Sequence, residues 1–154
     1  MNKLLFTCSA IGSDHRFKLL NTKLGQNESP EFILKNLDPH AKSIAIILED
    51  LSHPLIHNFT HWVIWNIPAT TIIAGKIPAG KRVANIKAVQ GRAYGWHQYA
   101  GPKPPRGQKH DYRFTVYSLA EYLDLSTSAN KHQFFKASQG KIIQAGQLTG
   151  SFKR

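Results

Sequence analysis

The run Tyr112-Arg113-Phe114-Thr115-Val116-Tyr117 alternates aromatic and β-branched residues, a pattern typical of a β-strand. Shortly before it stands the loop Tyr99-Ala100-Gly101-Pro102-Lys103-Pro104-Pro105-Arg106-Gly107, whose three prolines and two glycines predict a rigid connection. His110 and Tyr112 fall where this loop meets the strand. A stiff loop beside a strand that carries a histidine and a tyrosine at its entrance favours a small polar pocket.

Further strand patterns recur along the chain, separated by turns rich in Gly, Pro, Asn and Asp. The predicted strands are Leu4–Cys8, Phe17–Leu20, Ser43–Glu49, His61–Ile67, Tyr112–Ser118 and an extended segment at 141–152. Only Ala129–Gln139 is typical of a helix, with Gly140 in the position of a C-terminal cap. Many strands with one or two short peripheral helices predict a mostly β protein, a Greek-key β-sandwich around a central sheet.

Two of the predicted strands have distinct burial patterns. Ser43–Glu49 is nearly continuous in apolar residues, so we expect it at the centre of the sheet, buried on both faces. In His61–Ile67, regular alternation puts His61 on the same face as Val63 and Trp65. The prediction is that this imidazole lies partly out of water at the beginning of its strand.

Length and composition set the broad class of the protein. A chain of 154 residues is long enough to bury a core, and we expect one domain spanning 1–154. The longest apolar run, 44–48, is far shorter than the about 18 residues that a membrane span needs. The N-terminal apolar stretch is broken by Thr7 and Ser9, so we interpret it as a first strand rather than a signal peptide. The single cysteine, Cys8, excludes an intramolecular disulfide, and we expect a cytoplasmic protein.

The positive charge is confined to one half of the chain. Residues 1–75 carry six Lys or Arg and six Asp or Glu, whereas residues 76–154 carry fourteen against three, which accounts for the whole net charge of +11. Such asymmetry is typical of a protein with an anionic partner: nucleic acid, a phospholipid surface or a phosphorylated protein. The alternative is that the charge serves only solubility.

Five groups of motifs follow one another in a fixed order. They are Ser29-Pro30 with Ala41-Lys42-Ser43, Glu49-Asp50 with Pro54, His61-Trp62-Val63 with Asn66-Ile67-Pro68, Gly101-Pro102 with Pro104-Pro105 and Gly107, and His110 with Tyr112 and Phe114. In this order and spacing they resemble the phosphatidylethanolamine-binding protein family, in its bacterial Raf kinase inhibitor-like branch. The segment Gly140–Arg154 is similar to the end of that family, and the resemblance covers roughly residues 29–154.

The resemblance implies a small pocket at one end of the sandwich that takes phosphate-like or carboxylate-like head groups. The ligand-binding residues would be Asp50, His61, His110, Tyr112, Tyr99, Gly101, Pro102, Pro104 and Pro105. Imidazole and phenol groups donate hydrogen bonds to anionic oxygens, and a carboxylate beside an imidazole favours the imidazolium. We therefore expect a non-catalytic protein that binds a small anion without a cofactor. The family also implies a kinase or protease as partner, and the oligomeric state, monomer or homodimer, stays open.

The sequence departs from the family pattern directly after Asp50. The family usually has Asp-Pro-Asp-Ala-Pro, whereas this chain has Asp50-Leu51-Ser52-His53-Pro54. The second carboxylate is replaced by Ser52, and His53 replaces a small alanine. One fewer negative charge and one more imidazole favour anions, but the same change could close the pocket or alter its preference.

Other functions fit the sequence less well. His53, His57 and His61 stand four apart, but Pro54 argues against the continuous helix that would bring them together, so no metal site is expected. A hydrolase built on Asp50, His61 and His110 lacks a serine or cysteine in a nucleophile turn.

Nucleic-acid binding is the second function class. The basic residues Lys76, Lys81, Arg82, Lys87, Arg92, Lys103, Arg106, Lys109 and Arg113 are interleaved with Tyr94, Trp96 and Tyr99. Cations with aromatic platforms are what single-strand binding requires, although no nucleic-acid-binding motif accompanies them.

Each proposed site residue also has a purely structural interpretation. His61 would be a strand-end histidine satisfied by the backbone, and His110 a turn residue bonded to its own loop. Asp50 would only terminate its strand, while Tyr99 and Tyr112 would pack as amphipathic rings. The sequence leaves these alternatives open.

Overall fold

Two β-sheets pack face to face in this protein. The computed structural model describes residues 2–154. The strands are β1 (Asn2–Lys3), β2 (Phe6–Cys8), β3 (Phe32–Leu34), β4 (Ser43–Asp50), β5 (Phe59–Pro68), β6 (Ile72–Ile73), β7 (Arg82–Val83), β8 (Ala88–Gln90), β9 (Lys109–Leu119) and β10 (Ile142–Lys153). One α-helix, α1 (Lys131–Ser138), and a short 3₁₀ turn (Leu19–Asn21) complete the secondary structure of the described residues.

The larger sheet has seven strands in the order β1-β10-β9-β4-β5-β8-β7, and the smaller has three in the order β2-β3-β6. Among the strands within residues 2–154, β1 pairs in parallel with β10, and the other strand pairings are antiparallel. Strand β9 pairs with β4 although four strands, β5 to β8, come between them along the chain, so the chain crosses over to place β9 on the other side of β4 from β5. The predicted mostly β, Greek-key sandwich is confirmed.

Strand β4 is the centre of the core, as its continuous apolar sequence predicts. All eight of its residues are buried. Ile44, Ile46 and Leu48 point into the core between the two sheets. Ala45 and Ile47 point into a second core on the opposite face, where α1 packs. Burial on both faces explains why this strand shows no polar alternation.

Helix α1 is shorter than the predicted 129–139. Asn130 caps its first turn by accepting a hydrogen bond from the Gln133 backbone N–H, while the Gln133 side chain accepts from the Asn130 N–H. Phe134 packs on Trp65 and Tyr117 of the larger sheet, with ring centroids 6.4 and 5.8 Å away. Gly140 follows with φ +74°, the left-handed conformation that suits glycine after a helix. No helix within residues 2–154 is long and apolar enough to cross a membrane.

Two of the predicted strands are wrong in part. Within Phe17–Leu20, only Phe17 makes a bridge, and the chain then turns into the 3₁₀ segment because the Asn21 and Thr22 N–H groups bond back to Lys18 and Leu19. The predicted strand Leu4–Cys8 is divided instead. Its first residues follow β1 along the larger sheet, where the Leu4 N–H reaches Ala145, and the chain then enters the smaller sheet as β2.

Strand β5 contains two irregularities that regular alternation does not predict. Its pairing with β4 shifts between Leu48 and Glu49, opposite His61, and again between Ile44 and Ile46, opposite Asn66. Each shift is a β-bulge, and Asn66 has the positive φ of +61° that such an insertion often needs. A bulge re-aims the side chains beside it, which decides where His61 points.

Candidate functional site

A buried carboxylate–imidazole pair lies at the end of the sheet where β4 finishes and β9 begins. Asp50 and Tyr112 are directly paired across these strands, and His110 precedes Tyr112 by two residues on the same face. Asp50 Oδ2 lies 2.9 Å from His110 Nδ1, and the two side chains are only 6% and 7% exposed. Because a carboxylate only accepts, His110 Nδ1 carries the proton.

The remaining polar atoms of this pair have local partners. Asp50 Oδ1 accepts a hydrogen bond from the Ser52 backbone N–H at 2.9 Å. His110 Nε2 lies 3.2 Å from the Gln108 side-chain amide oxygen. Since an amide group offers both donors and an acceptor, Gln108 serves either protonation state of this nitrogen. Gln108 is exposed, so the group that covers the Asp50–His110 pair is a surface side chain that a ligand can displace.

His61 approaches the same place from β5. Its Nδ1 lies 3.0 Å from the Ala100 carbonyl oxygen, which fixes the proton on Nδ1. Burial lowers the pKa of His61 below its ordinary value of 6.5, against the opposing effects of the Ala100 carbonyl and Asp50. The ring is therefore mainly neutral at pH 7, and no hydrogen bond from residues 2–154 reaches its Nε2. That nitrogen is an acceptor when neutral and becomes a donor on protonation.

The bulge at His61 overturns the predicted face of this side chain. The ring does not join Val63 and Trp65, which lie in the core beneath α1. Its centroid is 5.5 Å from that of Tyr112, whose ring belongs to the core between the sheets. The extra residue in β5 turns His61 to the same face as Asp50 and His110, and so brings it into the pocket.

Tyr112 lies between the two imidazoles. Its ring centroid is 6.3 Å from that of His110 and 5.5 Å from that of His61. Burial, and then the negative charge of Asp50, raise the pKa of the Tyr112 hydroxyl, which stays protonated at neutral pH. The Lys103 backbone N–H lies at this hydroxyl, and it is the one amide between Pro102 and Pro105 that can donate. The loop therefore contributes to the pocket through one backbone group.

The rest of the loop is bound to the segment 21–27. Tyr99 donates its hydroxyl hydrogen bond to the Asn21 carbonyl at 2.6 Å, and its buried ring packs edge-on against Trp62. The Gly101 N–H donates to Asn27 Oδ1 at 2.7 Å. A Cβ on Gly101 would lie 2.0 Å from the Asn21 carbonyl oxygen, so this close approach requires glycine.

Two of the predicted pocket residues therefore hold the loop in place instead of facing a ligand. The Tyr99 hydroxyl donates to the Asn21 carbonyl, and the Gly101 N–H donates to Asn27 Oδ1. Pro102 and Pro104 are buried, while Pro105 is exposed. The structure thus brings together Asp50, His61, His110 and Tyr112, with the Lys103 amide beside them. The sequence places Lys103 in this loop among prolines that have no N–H, but it does not show which backbone donor lies next to Tyr112.

An aromatic row continues outward from His61. The His61 ring packs against Tyr94 and Phe59, with centroid distances of 5.0 and 5.5 Å. The Phe59 ring packs in turn against His53, with a centroid distance of 4.7 Å. Lys23 Nζ lies over the Tyr94 ring, 4.4 Å from its centroid. His53 Nδ1 accepts hydrogen bonds from the Leu55 and Ile56 N–H groups, so this imidazole fixes a turn. His53 thus stands at the edge of the row, and no three His, Cys, Asp or Glu side chains within 2–154 converge on a common point.

A second carboxylate lies beside Asp50 but on the other face of the sheet. Glu49 Oε1 is 3.0 Å from Arg113, and Glu49 Oε2 is 2.6 Å from Lys131 Nζ. Lys131 also donates to the Asn58 carbonyl at 2.8 Å. This three-residue cluster ties α1 to β4, β9 and the loop before β5. Sequence reasoning missed it because Lys131 is 82 residues away from Glu49 along the chain.

The fold and this cluster of side chains together define a β-sandwich protein with a carboxylate–imidazole site at one end of its central sheet. The family model described as phosphatidylethanolamine-binding protein matches residues 3–153, and the chain belongs to this family. The resemblance inferred from the five motifs is thereby confirmed, and it extends further towards the N-terminus than residue 29.

Relatives and solved structures agree with this assignment. A UPF0098 protein of Pyrococcus abyssi is 38% identical over 149 residues, covering 95% of this chain and 83% of the relative. One of Pyrococcus horikoshii is 37% identical, with 95% and 75% covered. A phosphatidylethanolamine-binding protein homologue of Chlamydia trachomatis superimposes with a TM-score of 0.82 at 26% identity, over 100% of this chain and 99% of that one. Escherichia coli YbcL superimposes with a TM-score of 0.84 over 99% of both chains, a likeness of fold at 23% identity.

Proposed function

We propose that the pocket formed by Asp50, His61, His110 and Tyr112 binds a small oxyanion, a phosphate or carboxylate head group, without catalysing a reaction on it. The observation that carries the proposal is the 2.9 Å pair between Asp50 and His110, buried beside a second imidazole with an unpartnered nitrogen. His61 Nε2 has no hydrogen-bond partner within residues 2–154 and is not among the fully buried unpaired atoms, so it is free to bind a ligand.

Each group has a distinct role in the proposed complex. His110 donates through Nε2 once the anion displaces the Gln108 amide, and Asp50 keeps its Nδ1 proton in place. His61 accepts from a protonated ligand oxygen when neutral, and donates when it is an imidazolium. The Lys103 N–H, which lies near the Tyr112 hydroxyl, adds a backbone donor. Small oxyanions with one protonated oxygen fit this mixture when His61 is neutral, and fully ionised oxyanions such as sulfate fit it when His61 is an imidazolium.

A direct titration tests the pocket. Calorimetry with phosphate, acetate and phosphoethanolamine should give saturable binding to the unmodified protein and none to His61→Ala/His110→Ala. The control is His40→Ala, since the His40 side chain is 88% exposed and precedes β4, at the strand end opposite Asp50. Equal affinity of the double variant and the unmodified protein would refute the assignment. Phosphate consumption or ester cleavage during the titration would refute the non-catalytic part.

The family resemblance also supports a regulatory role towards a kinase or protease. Exposed apolar side chains next to the aromatic row offer a surface for such a partner. Leu55 is 89% exposed and Trp96 is 61% exposed. Inhibition of a kinase or protease activity in a host extract by the unmodified protein, lost in Leu55→Asp, would support this role; equal inhibition by both would exclude Leu55 from the surface.

One specific observation favours nucleic-acid binding as the second candidate function. Arg92 lies over the Trp96 ring, 5.9 Å from its centroid, which is the cation and aromatic pairing that single strands use. Two members of the predicted surface are unavailable, because Tyr99 is buried and Arg113 is paired with Glu49. Oligonucleotide titrations at two salt concentrations decide this alternative, since binding through phosphates alone weakens steeply with salt.

A further inference from the structure

A second concavity lies at the edge of the sandwich, formed by residues 67–86. Its volume is about 780 Å³, and its lining shares no residue with the pocket at Asp50 and His110. It lies where β6, an edge strand of the smaller sheet, comes near β7, an edge strand of the larger sheet. These two strands are not hydrogen-bonded to each other, so the sandwich is open at this edge.

The interior of this concavity is aliphatic. Its floor consists of core side chains from both sheets, namely Ile67, Ile73 and Val83. Ile77 and Ile86 pack against the same core and form its walls. Cavities of roughly 300–1,000 Å³ with apolar walls are the usual size and character of small-molecule sites.

One wall is held rigidly by backbone hydrogen bonds. The Lys76 N–H donates to the Ser29 carbonyl at 2.9 Å, and the Ile77 N–H donates to Ser29 Oγ at 2.8 Å. The Gln90 side-chain amide donates to the Pro78 and Gly80 carbonyls at 2.9 and 3.0 Å. The concavity is therefore preformed along this side, which lowers the ordering cost of binding.

The charged groups of the concavity have one sign. Lys76 and Arg82 are its charged lining residues, and no Asp or Glu lines it. Within residues 2–154, neither of these two cations forms an ion pair. Lys76 also has the positive φ of +58°, held there by its bond to Ser29. Aliphatic walls with two unpaired cations complement a ligand that has a hydrocarbon chain and an anionic head.

We propose that this concavity binds a medium-chain acyl carboxylate. The hydrocarbon chain lies against Ile67, Ile73 and Val83, and the carboxylate is near Lys76 and Arg82. The site is independent of the anion pocket at the other end of the sheet. Each methylene buried should raise affinity about fourfold, so chain length as well as charge determines binding.

Decanoate, used below its micelle concentration, is the first probe. We expect decanoate to bind about fifteenfold more tightly than octanoate, because two more methylenes are removed from water. Amide chemical shifts measured by NMR should change within residues 67–86. Absence of saturable binding, or shift changes confined to the surroundings of His61 and His110, would overturn the proposal.

Charge variants separate the head group from the chain. Lys76→Gln/Arg82→Gln should weaken decanoate binding about fivefold, since exposed cations each contribute modestly, and should leave decanol binding within about twofold. The matched control is Lys87→Gln, because Lys87 is an exposed lysine of the neighbouring connection between β7 and β8 and does not line the concavity. An equal affinity of the double variant and the control for decanoate would overturn the role of the cations.

A blocking variant tests the location. Ala84 lines the concavity and is exposed, so Ala84→Trp fills space without disturbing the core. His61→Ala/His110→Ala removes carboxylate binding at the anion pocket and should retain decanoate binding at the concavity, and Ala84→Trp added to this double variant should abolish it. Retention of binding after this addition would exclude this location. Because acetate titrates the anion pocket alone, failure of the acyl site and failure of the anion pocket are distinguishable.

Discussion

Glu49 and Asp50 are consecutive residues at the end of β4, and the alternation of the strand sends them to opposite faces of the sheet. Glu49 meets Arg113 and Lys131, with both carboxylate oxygens paired. Asp50 meets His110 and one backbone N–H. Both residues are buried, Glu49 being 6% and Asp50 4% exposed, so the difference between the two carboxylates lies in their partners.

The partners of Glu49 are two cationic side chains, and those of Asp50 are an imidazole and a backbone N–H. Arg113 and Lys131 each place a nitrogen on one oxygen of Glu49, so both oxygens are paired with a charged group. His110 keeps a second nitrogen next to an exposed side chain, Gln108. A fully compensated carboxylate stabilises a fold, whereas one paired with an imidazole retains hydrogen-bonding capacity for a ligand.

The largest expected effect is on stability and comes from the Glu49 face. Glu49→Gln leaves Arg113 and Lys131 without their counter-charge, and breaking a buried ion cluster in this way should cost about 3 kcal/mol of unfolding free energy. Urea denaturation measures this loss. Glu121→Gln is the control, because the Glu121–Lys141 pair is 3.5 Å long and exposed, so its loss should cost less than about 1 kcal/mol.

The same variant tests whether the two faces are independent. Glu49→Gln should bind sulfate as tightly as the unmodified protein at temperatures where both are folded. A loss of affinity that accompanies the loss of stability would mean that the Glu49 cluster positions the pocket, and the comparison between the two carboxylates would fail.

The next effect is on binding and comes from the Asp50 face. Asp50→Asn keeps an oxygen that can accept from His110 Nδ1 but removes the charge that supports an imidazolium. Loss of the Nε2 donor should weaken sulfate binding about tenfold, the value of one charge-assisted hydrogen bond. Calorimetry measures the affinity. A gain in affinity would show that Asp50 only repels anions, and that His110 contributes no donor.

The sequence predicts the features that depend on residues close together along the chain, and it fails for those that depend on residues far apart. The long strands β4, β5 and β9 follow from side-chain periodicity, which is local, and their predicted positions are confirmed to within a few residues. The class of fold then follows from the number of strands. The family resemblance placed Asp50, His61, His110 and Tyr112 in one pocket, and the strands do bring these side chains together.

The remaining features depend on tertiary contacts that no local pattern encodes. The bulge that turns His61 is a property of the β4–β5 register, so alternation alone assigned the wrong face. Tyr99 was predicted to face a ligand, but its hydroxyl reaches Asn21, 78 residues away along the chain. The Glu49 cluster and the concavity beside β6 likewise join segments distant in sequence.

A third effect, of several-fold, is the pH dependence of anion binding. Burial lowers the pKa of His61, so in the free protein the ring gains its proton only below the ordinary value of 6.5. An imidazolium donates to an anion, so sulfate affinity should be highest at acidic pH and fall as pH rises, levelling above the pKa of the bound state. Sulfate is the suitable probe because it does not itself titrate between pH 5 and 8. His61→Asn should flatten the profile, and an unchanged slope would show that His61 is not the group that controls it.

The lowered pKa of His61 has an opposite consequence for stability. The unfolded chain binds the proton first as pH falls, because its histidine titrates at the ordinary value. This residue's contribution to stability is therefore present above about pH 6.5 and is lost as pH falls through the range between the unfolded and folded pKa values. Urea midpoints measured from pH 5 to 8 should decline less steeply at the acidic end for His61→Asn. Parallel curves for the two proteins would contradict the neutral, buried state of His61.

The smallest expected effect concerns Gln108, the exposed side chain that covers His110 Nε2 at 3.2 Å. If the anion replaces this amide, then Gln108→Ala removes a competitor and should strengthen sulfate binding about twofold to threefold, because a solvent-exposed hydrogen bond contributes little. Gln98→Ala, at another exposed glutamine, is the matched control and should have no effect. Weaker binding in Gln108→Ala would mean that the amide itself contacts the anion. In that case Asp50 and His110 would form a closed pair like the Glu49 cluster, and His61 would remain as the imidazole that is open to a ligand.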